Sequence, residues 1–524
     1  MTDLISISFL ALSLALAGAI IARHDIRPDK PGLLAIVLLV AGAVLAGPSP
    51  WSALPLSFLP AMLAGLLLVP AVAITRSFGR IDMIAILFHQ DFGFEAASLA
   101  GIRNEITTGV LAATVALLSL LGLNALAGSP ALLLPGATVV MLAANPILRH
   151  GLARLLTRPK DSDLANRLVD PPLAPSEPLP DILIVYLEGT DRRFADTRVF
   201  GQTYAGLAEF AAEGLSLTRI GQVAGTNWSV AGMTASQAGV PILPRGFQFK
   251  TGADKLSRFM PDLHFLGDHL AALGYERHFL VGNEADFAGT GAMYRTHCIP
   301  EITSGKTMTS LFPPDEVMAA QVSWFMDDQM VLDAARKVHA RLAPSANPIA
   351  LIVETIGPHG PKGCLSRRWT TGGKAEETHD IAHSVECLTT GVLELVEDLR
   401  AATVERRRPL RVVLLSDHLN HTPSLAKAGP EFEGYNTAIL WGDPRHVGKV
   451  IDRPASMMDL YPTLLDWLGW SPAPVAAGLG RSLLSAPQTL VEEFGLAGLD
   501  AMLVSDARLA ARLWADGGKG SGSS

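Results

Sequence analysis

The chain has 524 residues, 49 % of them hydrophobic and 18 % charged, with a net charge of −8 and a mean hydropathy of +0.31. Soluble globular domains carry about 25 % charged residues, so an ordinary soluble protein is excluded. The lack of a basic block excludes nucleic acid as a partner, because phosphate backbones demand clustered Lys and Arg.

Residues 1–150 are almost entirely apolar and most of the charge lies beyond them. This predicts an N-terminal α-helical transmembrane domain of four to five helices, then a polar part large enough for one α/β domain. A membrane-spanning helix needs about 20 apolar residues. Segments 4–22, 31–47, 53–74 and 106–127 meet or approach that length, and 131–147 is a weaker candidate broken by Pro135 and Gly136. The first segment is not read as a signal peptide, since further spans follow and no basic region precedes it. The positive-inside rule places the loop with Arg23, Arg27 and Lys30, and the loop with Arg76, Arg80 and Arg103, in the cytoplasm. Four spans then leave the polar domain outside; a fifth span, flanked by Arg149, Arg154 and Arg158, would put it inside. We favour the outside placement, with 131–147 re-entrant or interfacial. Segment 81–94 reads either as a second interfacial helix or as a short packed one.

Residues 151–181 form an interfacial segment and linker, Pro-rich over 157–181, and read as a semi-rigid connector. A catalytic domain is expected over 182–490, then a C-terminal helix and flexible tail over 491–524. Short apolar runs at 182–188, 278–282, 349–355, 411–417 and 437–441 predict buried strands. Helical spacing of apolar residues marks 262–274, ending at Gly274 as a C-cap, and also 384–402 and 457–469. Alternating strands and helices imply a mainly parallel sheet covered on both faces, with ligands bound beyond the carboxyl ends of its strands.

Polar residues sit where those strands end. Glu188 closes the first run, and Asp417 and His418 close another. Thr226 and Ser229 lie in GTNWSVAGM (225–233), which opens a helix, where backbone N–H groups favour an anion. Two carboxylates and an imidazole suit Mn²⁺ or Zn²⁺, and such an ion would activate a neighbouring hydroxyl. Other readings stand beside these. A strand-end Glu is often a cap or ion-pair partner, Thr226 and Ser229 are equally N-cap residues, and the loop residue His359 reads alone as a surface histidine. His264, His269 and His421 are read as structural, with His421 close enough to back His418. The three cysteines, Cys298, Cys364 and Cys387, show no CxxC spacing, which excludes a zinc ribbon or thioredoxin motif. Outside the cytoplasm Cys364 and Cys387 are either bonded to each other or free buried thiols.

Taken together, VYLEG, GTNWSVAGMTASQAGVPI and SDHLNH resemble the alkaline phosphatase/sulfatase superfamily over roughly residues 180–485. Within it the chain is similar to the membrane phosphoglycerol transferases that decorate periplasmic glucans, and to lipoteichoic acid synthases. The resemblance implies an alkaline phosphatase/sulfatase-like α/β fold and a divalent metal, Mn²⁺ in this branch with Zn²⁺ or Mg²⁺ as alternatives. Glu188, Asp417 and His418 match the metal ligands, and Ser229, also facing the metal, falls where the family has its threonine nucleophile. Thr226 is the fallback. His359 matches a histidine that contacts the transferred phosphate group, and Trp228 and Arg295 join it as expected substrate contacts. Cys364 and Cys387 resemble a cysteine pair of the glucan-modifying branch. Sulfatases carry C/S-x-P-x-R to make formylglycine, and SVAGM at 229–233 lacks it.

The implied activity is phosphoglycerol transfer from phosphatidylglycerol to a glycan acceptor, at the bacterial inner membrane with the catalytic domain facing the periplasm. TIGPHGP (355–361) looks more like the phosphoethanolamine transferases acting on lipid A, which is the alternative within the class. A non-catalytic membrane protein is the alternative outside it. The predicted spans carry essentially no charged residues of the kind a transporter would bury.

Overall fold

The computed structural model describes residues 162–175, 178–243, 258–360 and 362–515, with a few positions between 63 and 148. The expected spans and the 81–94 segment therefore lie largely or wholly outside the described residues. Among the described residues no helix is long and apolar enough to cross a membrane. The chain divides into two compact units, residues 1–83 with 98–158 and residues 84–97 with 159–524; all that follows concerns the second.

Its centre is an eight-stranded sheet. In chain order the strands are β1 (Asp181–Leu187), β2 (Leu215–Leu217), β3 (Glu276–Val281), β4 (Glu301–Thr303), β5 (Ile349–Glu354), β6 (Leu410–Ser416), β7 (Ala438–Trp441) and β8 (Lys449–Ile451). They lie side by side as β8-β2-β7-β6-β1-β5-β3-β4. Pairings from β6 through β1, β5 and β3 to β4 are all parallel. β7 runs antiparallel to both its neighbours, and β8 pairs parallel with β2. The mainly parallel sheet is as expected from the sequence. β2, β4 and β8 were not expected: each is three residues long, too short for a hydrophobic period to show.

β1 is buried along its whole length because both faces of the sheet are covered. Its side chains alternate between two cores, as the pleat requires. Ile182, Ile184 and Tyr186 join a core that includes helices α2 (Ser229–Ala238), α3 (Leu266–Ala272) and α6 (Leu460–Trp467). Leu183, Val185 and Leu187 join the opposite core with α1 (Ala205–Ala212), α4 (Asp328–Leu342) and α5 (Ile381–Glu405). Each such aliphatic side chain stabilises the fold by about 1.5–3 kcal/mol on burial.

α3 starts four residues later than expected but stops where the sequence said. Gly274, at φ +75°, donates to the Ala271 carbonyl at 3.1 Å while Tyr275 donates to Leu270 at 3.0 Å, closing the end in a Schellman motif. The expected linker is not a loose connector from Ser162 onward. Leu164 and Ala165 are fully buried, and Val169 exchanges backbone hydrogen bonds with Gly478 at 2.8 and 2.9 Å. Asp163–Arg167 form a short 3-10 helix capped by Ser162, and the proline-bearing residues after it do not prevent the stretch from packing on the domain.

Candidate active site

β1, β5 and β6 are adjacent and parallel, so their carboxyl ends share one rim. Leu187 lies opposite Ser416, and Tyr186 lies opposite both Leu415 and Glu354. The next residues, Glu188 and Asp417, are therefore neighbours by register alone, and His418 follows. Glu188, Asp417 and His418 are all buried, at 3 %, 0 % and 7 % exposure. One ligand atom from each lies within 4.8 Å of the others. The His418 Nε2 is 3.4 Å from Glu188 Oε1 and 3.3 Å from Asp417 Oδ2.

Each side chain is held from behind. The His418 Nδ1–H donates to the Leu419 carbonyl at 2.9 Å, which turns Nε2 toward the carboxylates. Asp417 Oδ1 accepts from the Gly189 and His418 N–H groups, both at 2.9 Å, whereas its Oδ2 is buried with no hydrogen-bond partner. The following loop is pinned by Asp191, whose Oδ2 accepts from Asn420 N at 3.0 Å, and by Gln222, whose Oε1 accepts from Leu419 N at 2.9 Å. The His421 ring stacks on His418 with centroids 5.1 Å apart.

Burial, with Glu188 alongside, pushes Asp417 up to about 6. Burial works the same way on Glu188, but His359 and His418 outweigh it and hold that carboxyl below its ordinary range. Burial opposes charge on His418, yet Asp417 and Glu188 dominate and lift it to about 10. Two buried carboxylates side by side are costly unless a cation answers them. An orphaned carboxylate oxygen, a second carboxylate and an oriented imidazole nitrogen fit a divalent cation in size and donor type.

Ser229 is the first residue of α2 and is among the groups that lower the Asp417 pKa. The helix can come this close because of Gly232, one turn along: a Cβ there would stand 1.6 Å from the Asp417 carbonyl oxygen. Deeper along α2 the Tyr186 hydroxyl lies 2.8 Å from Ser236 Oγ and accepts from Gln237 Nε2 at 3.0 Å, fastening the helix to β1. A hydroxyl, a helix N-terminus and a cluster fit to hold a cation thus share one rim, an arrangement suited to attack on an anionic phosphoryl group.

The loop after β5 carries His359, whose charge bears on Glu188. Both oxygens of the buried Asp328, in the first turn of α4, fix that loop by accepting from Ile356 N and Gly357 N at 2.8 Å each. Sequence reasoning missed Asp328, as it missed Glu354. Glu354 ends β5 at the same rim and is kept well above its ordinary pKa by burial, Asp417 and Glu188. Glu354 carried the same strand-end signal as Glu188. Asp328 offered none, because its partners are backbone groups distant in sequence.

Three further residues were expected at the site. The Thr226 hydroxyl donates to the Val223 carbonyl at 2.8 Å and accepts from Val223 N at 3.1 Å, so it closes a turn and is not placed as a nucleophile. Trp228, expected as a substrate contact, is 8 % exposed and belongs to the core under α2. The exposed Arg295 is ion-paired to Asp286, so its charge is already answered locally. Cys364 and Cys387 are buried, unbonded thiols, and Cys298 is exposed. The free-thiol reading is the one that stands.

The sulfatase family model matches residues 180–470. Phosphoglycerol transferase I of Xanthomonas axonopodis pv. citri is 28 % identical over 357 residues, covering 67 % of this chain and 49 % of that protein. Phosphoglycerol transferase I of Escherichia coli is 27 % identical over 360 residues, covering 67 % and 45 % respectively. The chain thus spans about half the length of the curated relatives it matches. Among solved structures, a protein in the alkaline phosphatase superfamily from Vibrio parahaemolyticus aligns with 64 % of this chain and 77 % of its own, at 19 % identity and a TM-score of 0.46.

Proposed function

The chain belongs to the sulfatase family, and from that premise we propose that it is a phosphoglycerol transferase. It takes the group from phosphatidylglycerol and passes it to a glycan. The observation that carries this reading is the meeting of Glu188, Asp417 and His418 with Ser229 at one rim of the sheet. Sulfate ester hydrolysis is disfavoured because the start of α2 reads SVAGM and lacks the formylglycine pattern. The names of the relatives favour phosphoglycerol as the transferred group.

Glu188, Asp417 and His418 would hold the ion, Mn²⁺ by the resemblance, with Zn²⁺ or Mg²⁺ as alternatives. When bound, the ion lowers the pKa of the nearby hydroxyl and offsets charge developing on the phosphoryl oxygens. Ser229 Oγ bonds to phosphorus as the bond from phosphorus to the diacylglycerol oxygen breaks. The serine proton passes to solvent, and His359 gives a proton to the departing oxygen. In the second half a sugar hydroxyl attacks phosphorus and yields its proton to His359. Ser229 leaves and regains a proton from solvent, so every group ends as it began. The N-terminal apolar part would hold the domain at the outer leaflet of the inner membrane, raising the effective concentration of donor.

The test uses the full-length chain in vesicles containing labelled phosphatidylglycerol or phosphatidylethanolamine. Diacylglycerol release is expected from phosphatidylglycerol, and Ser229→Ala should lower it by about a thousandfold or more. Preference for phosphatidylethanolamine would move the assignment to phosphoethanolamine transfer, and undiminished turnover by the variant would remove Ser229 as nucleophile.

A further inference from the structure

Beside His359 stands a set of aromatic rings that the chemistry above leaves unused. A short hairpin pairs Gln321–Val322 with Phe325–Met326. Ser323, at φ +49°, turns the chain so that Trp324 sits at the tip. The hairpin is pressed onto the end of β3: Met326 N donates to the Gly282 carbonyl at 2.9 Å, and a Cβ on Gly282 would stand 2.5 Å from Met326 O. The Trp324 ring stacks on Phe287 with centroids 5.2 Å apart and planes 26° from parallel. It meets Phe325 edge-on at 5.1 Å and the His359 ring at 5.8 Å and 83°.

These rings pack against the core from its edge. Phe279 and Tyr294, stacked at 4.0 Å within the domain, are essentially fully buried, whereas Phe287, Trp324 and Phe325 are only half-buried. The neighbouring chain is polar: Glu284, Gln321 and Ser323 are exposed, and the exposed Asp286 is ion-paired to Arg295. A surface meant for lipid would be ringed by apolar or basic side chains, and the exposed Glu284 carboxylate repels an anionic bilayer. A sugar ring matches both features, since its C–H face packs on an aromatic plane while its hydroxyls reach surrounding acceptors.

We propose that Trp324, backed by Phe287 and Phe325, is the subsite on which a sugar ring of the acceptor stacks, next to His359. This rests on the reading of the acceptor as a glycan. The stack would set which hydroxyl meets the phosphoryl group and shield it from water, so that transfer outcompetes hydrolysis.

The experiment titrates the full-length chain with a β-linked glucose hexasaccharide, without donor, and then measures how cleaved phosphatidylglycerol divides between hexasaccharide and water. Trp324→Ala is expected to weaken hexasaccharide binding about tenfold and to shift the division toward water by a similar factor. Trp324→Phe, which keeps a ring at the hairpin tip, should recover most of both. Equal binding by the native chain and Trp324→Ala overturns the subsite, as does no binding by the native chain. Weakened binding to phosphatidylglycerol vesicles in place of hexasaccharide overturns it in favour of a lipid contact. Failure to cleave phosphatidylglycerol would count against the transfer reading alone, because the sugar titration needs no donor.

Discussion

At the scale of single residues, the site turns on which of two hydroxyls three positions apart faces Glu188, Asp417 and His418. The sequence left Ser229 and Thr226 open because both precede or begin the same helix. The hydrogen bonds separate them: Thr226 spends its hydroxyl on both backbone groups of Val223, while Ser229 bears on Asp417. Thr226→Val should therefore act on stability. It strips the buried Val223 N–H of its acceptor, while the Val223 carbonyl keeps the Thr226 N–H at 3.1 Å; the cost of about 1–3 kcal/mol is seen as a lower denaturation midpoint with diacylglycerol release retained. Lost release at unchanged stability would contradict this assignment. Glu188, Asp417 and His418 were legible because a polar residue directly after an apolar β-branched run falls at the strand end, where ligands bind. Trp324 was not legible, because strands of two residues carry no hydrophobic period.

At the scale of elements, register does most of the assembly. Parallel pairing of β1 with β6 makes Glu188 and Asp417 neighbours without any long-range side-chain recognition. The close approach of α2, licensed by Gly232, adds the hydroxyl. The loop after β5 is the least self-sufficient piece, since Asp328 holds it through two backbone N–H groups. Asp328→Asn would set an amide N–H₂ against one of those donors, costing about 1–3 kcal/mol and releasing His359 from position. We expect kcat for diacylglycerol release to fall more than the melting temperature alone explains; native turnover in this variant would show that the anchor is dispensable. The long buried strands could be read from the sequence because nearly every residue in them is apolar. The three-residue strands could not, since their positions are set by neighbours in the sheet.

At the scale of the whole molecule, the two units and the compositional break in the sequence tell one story from different sides. An apolar first part and an α/β second part of the sulfatase family suit the proposed transfer from a lipid donor to a soluble acceptor. The segment read as a connector from its prolines is from Ser162 packed on the second unit. Composition alone could not reveal this, because packing on a distant element such as Gly478 leaves no local trace. The central claim is that Ser229 carries the phosphoglycerol between lipid and glycan. The most direct measurement is a peptide mass map of the full-length chain after brief incubation with phosphatidylglycerol vesicles and Mn²⁺, without acceptor. A phosphoglycerol adduct on Ser229, absent in Glu188→Gln and after chelation, is the predicted result; an adduct on Thr226, or steady turnover with Ser229 unmodified, would contradict it.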